Sequence, residues 1–482
     1  MLDKLINTVS SSINSQLNSN SAKKLKHQAH QMLHRSLDQH ITLAVTGFSR
    51  SGKTAFITAL VEQLTMKATK ENLPFFEVVQ SERLIAAKSV PQDALALPTF
   101  PYQNALASIK GEQPNWPEST KRINTLRLAL KYQPNSGIRG QISDSSTLII
   151  DLIDYPGEWL MDLPMLSLNF EQWSSQQLAL LQQNPRAQYA SELQEQLASL
   201  DLNAPVDESK LAQIALMYKM LLKRFKKDAK LTILQPGRML IPGDLDGAPL
   251  LMFFPVNINN ETAVVEGSNL AHLKKRYQAY IKEVVTPFYQ NYFCRFDRQI
   301  ILVDLLTALT QGSEVLAEQG RAIEQLLEHF NYGQSSFIKR LFSPKIDKLL
   351  FAANKSDHLS SEHHKDLAIL LNSIVQQAQN ELKFNGVEVE TMAMSSICAT
   401  KSVEVKDKNN VVIKCIYGKE MQSGQWMTYL PAQPPMRALS QHEWPKHGFS
   451  FPEFYPQLTP DNNLRHVRLD HVCEFLLGDK LK

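Results

Sequence analysis

Hydrophobic residues follow two spacings along this 482-residue chain. Alternating or continuous apolar runs predict short strands, and spacings of three and four residues predict helices. The predicted strands lie at 41–46, 125–132, 147–153, 299–305 and 349–353, with one more just before Ser395. A helix is predicted directly after position 54, because Phe56, Leu60 and Leu64 fall on one face. Turn-forming residues between 132 and 147 indicate that the two strands beside them form a hairpin.

The order of these elements divides the chain into four segments. Residues 1–40 have the helical spacing of an amphipathic arm, and 159–295 are mainly helical. Strands alternate with helices in 41–158 and again in 296–482, where a closing helix ends the segment. Such alternation predicts an α/β core with a mainly parallel sheet flanked by helices. We therefore expect a large helical insertion between two parts of one core, and irregular structure at 84–120.

Composition excludes several classes of protein. Hydrophobic residues make up 43% of the chain and charged residues 21%, which excludes global disorder, a collagen-like chain and a coiled-coil rod. The net charge of +3 gives no support to a broad nucleic-acid-binding face. No apolar run approaches the ~18–20 residues of a membrane span, and no secretory signal is predicted. The cysteines at 294, 398, 415 and 473 include no CxxC pair, which predicts reduced thiols in a cytoplasmic protein.

A phosphate-binding loop is predicted between the first strand and the first helix. Gly47-x4-Gly52-Lys53-Thr54 fits the pattern G-x-x-x-x-G-K-[ST]. Glycines let the backbone curl around an anion, and the following helix N-terminus adds partial positive charge. Lys53 supplies a full charge at the β- and γ-phosphates, and the Thr54 hydroxyl is an expected Mg²⁺ ligand. A nucleoside triphosphate would contact Phe48, Ser49, Arg50, Ser51, Gly52, Lys53, Thr54 and Ala55.

The segment Asp154-Tyr-Pro-Gly157 follows an apolar strand, as a DxxG element does. A carboxylate at a strand end near the phosphate loop can hold Mg²⁺, and we assign that role to Asp154, with Asp151 as the alternative. Strand alternation predicts that these two carboxylates point to opposite faces. Gly157 offers a backbone N–H that can approach the γ-phosphate.

The segment Asn354-Lys-Ser-Asp357 matches the NKxD pattern of guanine-specific proteins. Guanine presents its N1–H and 2-amino groups as adjacent donors, and the Asp357 carboxylate can accept both. Adenine lacks this pair and would leave the carboxylate unpaired. We expect Asn354 to brace the phosphate loop or reach the base, and the Lys355 stem to lie along the base plane. A helix cap or turn is the alternative interpretation of these residues.

A further loop, Ser395-Ser-Ile-Cys-Ala-Thr400, follows another predicted strand. We expect Ser396, Cys398 and Ala399 to face the base here, with backbone N–H groups of the last two donating to the guanine carbonyl. The order of the four elements, each after a strand, resembles the GTPase branch of P-loop proteins.

Two longer segments carry a narrower resemblance. TGFSRSGKTAFITALVEQL and LIIDLIDYPGEWLMDLPML are similar to the YcjX-like family of bacterial stress-associated P-loop GTPases, and the likeness extends to the closing LLGDKL. The resemblance implies a P-loop GTPase-like core that binds GTP or GDP with Mg²⁺. It also implies a role in the phage-shock, envelope-stress response and a cytoplasmic protein that reaches the inner membrane through a partner protein there.

The sequence departs from a small GTPase at Glu158, where Ras-like proteins carry a Gln that orients the attacking water. An ionised carboxylate repels the γ-phosphate, so we expect slow intrinsic hydrolysis with Glu158 and Lys53 as catalytic residues. Arg50 is the favoured stabilising arginine. Arg83 and Arg122 are the other candidates, and a solvated surface position is the alternative for all three.

Two further features near the predicted site stay open. The first-switch residue that offers a hydroxyl to Mg²⁺ is not identifiable, with Thr120 and Ser119 as candidates and a plain polar loop as the alternative. The helical insertion continues from the second switch, and we expect it to respond to loss of the γ-phosphate. Its basic cluster is interpreted as a solvated helix face, with acidic lipid as the alternative ligand: Lys219, Lys223, Arg224, Lys226 and Lys227.

The sequence favours a GTP-binding switch, and other functions remain open. An ATPase or a nucleotide kinase is the nearest alternative in mechanism, although the NKxD segment argues against ATP. A scaffold or adaptor that holds a structural nucleotide and binds an inner-membrane partner is the alternative from another class. The Glu158 substitution is the feature that favours the scaffold.

Overall fold

The structure is a computed structural model that describes residues 39–48, 50–135, 144–258, 264–328, 346–406 and 408–482. The predicted N-terminal arm lies outside the described residues up to position 38, and Ser49 of the predicted phosphate loop lies outside them as well. Across the described ranges, no helix combines the length and the apolar character that crossing a bilayer requires.

A seven-stranded sheet forms the centre of the fold, in the spatial order β2-β3-β4-β1-β5-β6-β7. Its strands are β1 (Gln39–Gly47), β2 (Leu84–Val90), β3 (Asn124–Tyr132), β4 (Ser146–Asp154), β5 (Arg298–Val303), β6 (Lys348–Ala353) and β7 (Glu388–Ala393). The five strands from β4 to β7 in this order run parallel, and β3 is antiparallel to both of its neighbours. The predicted α/β core with a mainly parallel sheet is confirmed, and so is the β3–β4 hairpin.

Both faces of the sheet are covered, which explains why β5 and β6 carry continuous apolar runs at 300–303 and 349–353. On β1, Leu43 and Val45 join the hydrophobic cluster on one face, whereas Ala44 joins the cluster on the other. The first helix, Lys53–Met66, packs on the face of Leu43, and every residue from Ala55 to Leu64 is buried. This helix is therefore buried on all sides, whereas the sequence pattern predicts one apolar face.

The helices account for most of the remaining described chain. The α-helices are α1 (Lys53–Met66), α2 (Glu77–Gln80), α3 (Tyr102–Lys110), α4 (Phe170–Leu181), α5 (Ser191–Ala198), α6 (Glu208–Lys227), α7 (Gly237–Leu240), α8 (Asn269–Tyr280), α9 (Thr286–Asn291), α10 (Leu305–Gln311), α11 (Ser313–Glu328), α12 (His364–Phe384) and α13 (Leu469–Leu477). Short 3-10 helices lie at Gly157–Ser167, Arg186–Tyr189, Gly243–Leu245, Pro249–Leu251, Phe293–Arg295, Ser356–His358, Ser361–His363, Gln441–Glu443 and Gly478–Leu481. A π-helical turn, Ile281–Val285, joins α8 to α9.

The segment between β4 and β5 is helical in its described part, with no strand among the described residues there. Its apolar side chains belong to the same hydrophobic cluster as α10, α11 and α12, on one face of the sheet. Trp173 is fully buried at its centre, where its ring contacts those of Phe253 and Tyr277. The division of the whole chain into an arm, two core parts and an inserted domain stays a prediction.

Two regions differ from the sequence prediction. The stretch 84–120 contains β2 and α3 and is not irregular throughout. β2 is an edge strand held by backbone pairing to β3, and α3 buries only Ala105 and Ile109, so neither has a clear hydrophobic period. A second, antiparallel sheet, β8 (Lys401–Lys406), β9 (Val412–Lys419) and β10 (Trp426–Tyr429), was not predicted, because its outer strands are largely exposed.

A buried arginine ties the C-terminal helix to the sheet. Arg298, at the start of β5, has no exposed side-chain surface and donates to both carboxylate oxygens of Asp479 at 2.6 Å. It also donates to Asp347 at 3.2 and 3.3 Å, and to the carbonyl of Leu476 in α13. The guanidinium therefore joins β5 to the closing helix through charge-assisted hydrogen bonds.

We predict that Arg298→Met lowers the free energy of unfolding by about 2–3 kcal/mol, because two carboxylates lose their partner beside the core. The matched control is Arg437→Met, which breaks the exposed pair with Glu443 and should leave stability within error of the parent protein. Urea denaturation followed by tryptophan fluorescence measures both. Equal losses of unfolding free energy in the two variants would show that the buried contacts of Arg298 stabilise the fold no more than an exposed ion pair does.

Candidate functional site

A cavity of about 280 Å³ lies at the carboxyl ends of the parallel strands. β1 ends at Gly47, β4 at Asp154, β6 at Ala353 and β7 at Ala393, so the loops after these strands meet at one edge. Residues from the predicted motifs line the cavity together: Phe48, Arg50, Ser51, Gly52, Lys53, Thr54, Ala55, Glu158, Asn354, Lys355, Asp357 and Ser396. The fold thus brings distant segments of sequence into one site.

The predicted phosphate loop is a tight curl between β1 and α1. Arg50 and Gly52 have left-handed backbone conformations, with φ of 68° and 88°. A Cβ on Gly52 would lie 2.5 Å from the amide nitrogen of Asn354, so both conformation and space require glycine there. The Lys53 ammonium donates to the Gly47 carbonyl at 3.1 Å and so spans the curl. The described residues of the loop thus form the kind of curl that the phosphate-loop pattern predicts.

A chain of polar contacts joins this loop to the DxxG segment. The Thr120 hydroxyl donates to Oδ2 of Asp154 at 2.6 Å and lies 3.4 Å from the Thr54 hydroxyl. Oδ1 of Asp154 is buried without a hydrogen-bond partner. Burial raises the pKa of Asp154 to about 6, against the opposing effects of the Lys53 charge and of the polar side chains of Thr120 and Asn124.

These residues fit a hard divalent cation such as Mg²⁺. A buried carboxylate with an unpartnered oxygen lies beside two hydroxyls, and Mg²⁺ is commonly held by one or two carboxylates, water and substrate phosphates. The described residues contain no cluster of three or more His, Cys, Asp or Glu side chains that could hold a metal ion. A cation here would therefore depend on hydroxyl and phosphate oxygens as well as on Asp154.

Asp151, the alternative metal ligand, is engaged elsewhere. Its carboxylate accepts hydrogen bonds of 2.6 and 2.7 Å from Arg127 and lies 2.8 Å from the His40 ring. Strand alternation places it on the other face of β4 from Asp154. The geometry therefore favours Asp154 over Asp151.

Gly157 lies directly against the phosphate loop. A Cβ there would be 2.0 Å from the Gly47 carbonyl oxygen and 3.2 Å from Cα of Phe48, so only glycine permits this approach. Among the hydroxyl candidates for the first switch, Ser119 and Thr120 both line the cavity, and Thr120 is the one bonded to Asp154.

Glu158 is buried and paired with a lysine from the helical segment. Its Oε1 lies 2.6 Å from Nζ of Lys226, the penultimate residue of α6. Burial alone would raise the pKa of Glu158, but Lys226 and Lys53 hold it below its ordinary value. The side chain is therefore an ionised carboxylate between two ammonium groups.

The basic cluster is consequently not a solvated helix face throughout, which corrects the sequence interpretation. Lys226 contacts the site through Glu158, Lys219 pairs with Asp246 at 3.0 Å, and the Arg224 guanidinium lies 5.0 Å from the Tyr189 ring centroid. Lys223, Arg224 and Lys227 are the exposed members. Three members of the cluster thus have separate partners within the chain, and lipid as a ligand of the exposed members stays a prediction.

The 3-10 segment after Gly157 is clamped by the helical segment. Asp162 is buried and accepts from the backbone N–H groups of Gly237 at 2.7 Å and Arg238 at 3.2 Å, and from the Tyr280 hydroxyl at 2.6 Å. Burial raises the pKa of Asp162 to about 6 despite these bonds. A Cβ on Gly237 would lie 1.9 Å from the carbonyl oxygen of Glu158, so the two backbones are in direct contact.

Asn354 braces the phosphate loop, one of its two predicted positions. Its amide donates to the Ser51 carbonyl at 2.9 Å, and its oxygen accepts from the N–H of Ser396 at 3.1 Å and the hydroxyl of Ser396 at 3.2 Å. The residue therefore joins three of the predicted motifs.

Asp357 is buried with both carboxylate oxygens hydrogen-bonded. Oδ1 accepts from the Ser395 hydroxyl at 2.6 Å, and Oδ2 accepts from the N–H groups of Ala399 at 2.6 Å and Thr400 at 3.1 Å. A base that bonds to Oδ2 must share or replace these backbone donors. These bonds supply the hydrogen-bond donors that a buried acidic side chain at the cavity needs.

The position of Cys398 corrects the sequence prediction. Its N–H donates to the Arg465 carbonyl at 2.8 Å, because the loop pairs with the chain around Val467 through Ser395. The Cys398 N–H is therefore not available to a guanine carbonyl. The neighbouring Ala399 N–H is bound to Asp357.

Lys355 has a partner that lies outside the predicted motifs. Its ammonium lies 2.5 Å from Oδ2 of Asp304, a buried residue directly after β5. A carboxylate at the end of a central strand, next to the other motif-bearing strands, was a usable signal for Asp304. No local signal marked Lys226, because α6 is separated from every motif in sequence.

Of the three arginine candidates, only Arg50 lies at the cavity. Arg83 pairs with Glu77 at 2.8 Å and donates to the carbonyls of Gln133 and Leu481, which places it at the C-terminal end of the chain. Arg122 is exposed and is not part of the cavity lining.

Comparison with known proteins gives consistent likenesses along the chain. The model of the family described as "YcjX-like family, DUF463" matches residues 41–481 of this chain. The chain is 40% identical over 467 residues to "Ras-like GTPase YcjX" of Escherichia coli, which covers 95% of this chain and 100% of that protein. It is also 40% identical over 491 residues to the Shewanella oneidensis protein of the same name, covering 96% and 99%.

A solved structure gives a more distant likeness. It is the signal recognition particle receptor SRb-GTP/SRX complex from Chaetomium thermophilum, with a TM-score of 0.25 and 14% identity over 74% of this chain and 93% of that one. A TM-score this low does not assign a fold.

We predict that Gly157→Ala weakens nucleotide binding by about tenfold or more, because the added methyl group meets the backbone of the phosphate loop and must displace it. Gly320→Ala in α11 is the matched control, since its Cβ would approach only the Ile374 side chain, at 3.3 Å. Calorimetric titration with a guanine nucleotide measures both. Unchanged affinity in Gly157→Ala would remove this contact from the binding site.

Proposed function

The chain belongs to the YcjX-like family, and from this we propose that it binds guanine nucleotides, hydrolyses GTP slowly with Mg²⁺, and acts as a nucleotide-dependent switch. One observation carries the proposal. A phosphate-loop curl and a buried carboxylate of an NKxD segment line the same cavity, and Asn354 joins them through its 2.9 Å bond to Ser51.

Base selection rests on Asp357. Guanine offers two adjacent N–H donors, which can take the place of the Ala399 and Thr400 N–H groups on the carboxylate. Adenine offers no such pair in that position, so opening the loop for adenine would leave a buried charge without donors. ATP is therefore disfavoured by the loss of hydrogen bonds to a buried charge.

The phosphate end has the groups that stabilise charge on a transferred phosphoryl group. Lys53 and the N-terminus of α1 face the phosphates, and Arg50 adds a cation at the rim. Thr54, Asp154 and the first-switch candidate Thr120 would hold Mg²⁺, which when bound neutralises phosphate charge. Glu158 is the acceptor that would orient a water molecule, and its pairing with Lys226 limits its freedom, which supports slow hydrolysis.

The biological setting of the switch is proposed from the family resemblance. We place it in the bacterial envelope stress response, with an inner-membrane protein as its partner. The clamp between the second-switch segment and residues 234–241 supports a route by which the nucleotide state reaches the outside of the helical segment.

One observation favours a second function, the scaffold with a structural nucleotide. Glu158 is fixed in an ion pair and is not free to act as a general base. The two functions differ in turnover: a switch hydrolyses GTP and releases phosphate, whereas a scaffold retains its nucleotide unchanged.

We predict that Asp357→Asn reduces GDP affinity by at least about a hundredfold and creates a preference for xanthosine diphosphate, whose 2-carbonyl accepts from the new amide. The exposed Asp461→Asn is the control and should bind GDP as the parent protein does. Competition binding with GDP, ADP and xanthosine diphosphate gives the order of affinities. A preference for ADP in the parent protein would contradict the proposed guanine site.

We predict that Glu158→Gln lowers the single-turnover rate of GTP hydrolysis by about tenfold or more, because an amide oxygen is a weaker acceptor for the attacking water than a carboxylate. Unchanged GDP affinity shows that the fold is intact. Equal rates would remove Glu158 from the mechanism, and a faster variant would show that repulsion of the γ-phosphate dominates. No turnover in the parent protein would favour the scaffold.

A further inference from the structure

A carboxylate beside a phosphate-binding loop poses an electrostatic problem. Glu158 follows Gly157, whose backbone touches the loop, and it lines the cavity together with Lys53. A nucleoside triphosphate in the loop would bring its γ-phosphate close to Glu158. The phosphate and the carboxylate are both negative, and such groups repel each other strongly at short distance in a buried site. The chain therefore needs a compensating positive charge if the triphosphate is to bind.

Lys226 is placed to supply that charge. Its ammonium lies 2.6 Å from Glu158 on a side chain that is 28% exposed, so water weakens the pair only partly. The neighbouring Phe225 is 1% exposed, and the Tyr218 hydroxyl donates to the Gln235 carbonyl at 2.7 Å. The end of α6 is thus anchored, and the lysine is held in position by packing.

The surroundings of the pair carry an excess of positive charge. A side chamber of about 50 Å³ joins Glu158 and Lys226 to Arg50 and Lys230. Burial and the neighbouring Arg50 lower the pKa of Lys230, as expected where cations are crowded together. Three cations, Arg50, Lys226 and Lys230, outnumber the two carboxylates of the chamber, Glu158 and Asp304, and this excess favours the arrival of a further anion.

Resting on the proposed function, we infer that Lys226 is a positioning residue for the triphosphate state: it neutralises Glu158 so that a carboxylate is tolerated beside the terminal phosphate. The ion pair as a whole is neutral, as the Gln of Ras-like proteins is. The helical segment thereby contributes directly to the distinction between nucleoside triphosphate and diphosphate. GDP lacks the γ-phosphate, so its binding is much less sensitive to Lys226.

The test compares affinities for GDP and for a non-hydrolysable GTP analogue by calorimetry. Lys226→Met should weaken the analogue about tenfold or more relative to GDP, because Glu158 is left uncompensated. Glu158→Gln in the Lys226→Met background should restore the ratio, because the repelling charge is gone. Lys223→Met, at an exposed position of the same helix, is the control and should leave the ratio unchanged.

The outcomes separate this inference from the proposed function. Equal weakening of GDP and analogue in Lys226→Met would indicate a merely structural lysine and overturn the inference, as would failure of Glu158→Gln to restore the ratio. An unchanged ratio in Lys226→Met would overturn it as well. A parent protein that binds neither nucleotide would instead contradict the proposed function.

Discussion

The hydrogen bond from the Asn354 amide to the Ser51 carbonyl is the contact on which the site depends. It joins the loop after β6 to the loop after β1, two segments about 300 residues apart. Because the same side chain also accepts from Ser396, the phosphate end and the base end are held at a fixed separation. Gly52 is required at this point, since a Cβ there would collide with the bridging amide. The site is thus preorganised before any ligand binds.

A second set of contacts extends this rigidity into the helical segment. Asp162 is held by two backbone N–H groups and a tyrosine hydroxyl, and Gly237 touches the backbone of Glu158. The segment that follows the phosphate-contacting glycine therefore cannot shift without moving residues 234–241. Lys226 adds a charge contact to this packing contact. Movement at the phosphate end and movement in the helical segment are consequently coupled by direct contact, with no intermediate layer.

Much of this arrangement could be predicted from sequence, because the residues that carry it occur as short motifs after apolar strands. The curl at 47–54, the carboxylate Asp154 and the brace Asn354 follow from spacing and strand order. Lys226 could not be placed in the same way, since its partner is fixed by tertiary packing and a lone Lys has no motif. Cys398 was misplaced because its N–H is satisfied by the chain near Arg465, a pairing that local sequence does not encode. β2 and the second sheet were missed because exposed edge strands need no hydrophobic alternation.

The hydrogen bonds around Asp357 also bear on how the proposed site selects its purine base. Asp357 already accepts three hydrogen bonds from its own chain, so guanine would exchange one set of donors for another and gain little from each bond alone. In the proposed site, discrimination between guanine and adenine comes instead from the cost of binding the wrong base. Once the loop at Ala399 has opened, a base without paired donors leaves the buried Asp357 carboxylate unsatisfied. The phosphate end of the proposed site differs, because Glu158 is acceptable beside a γ-phosphate only while Lys226 compensates its charge. A missing hydrogen-bond donor thus penalises the wrong base at one end of the proposed site, and a charge compensated within the chain allows the triphosphate at the other.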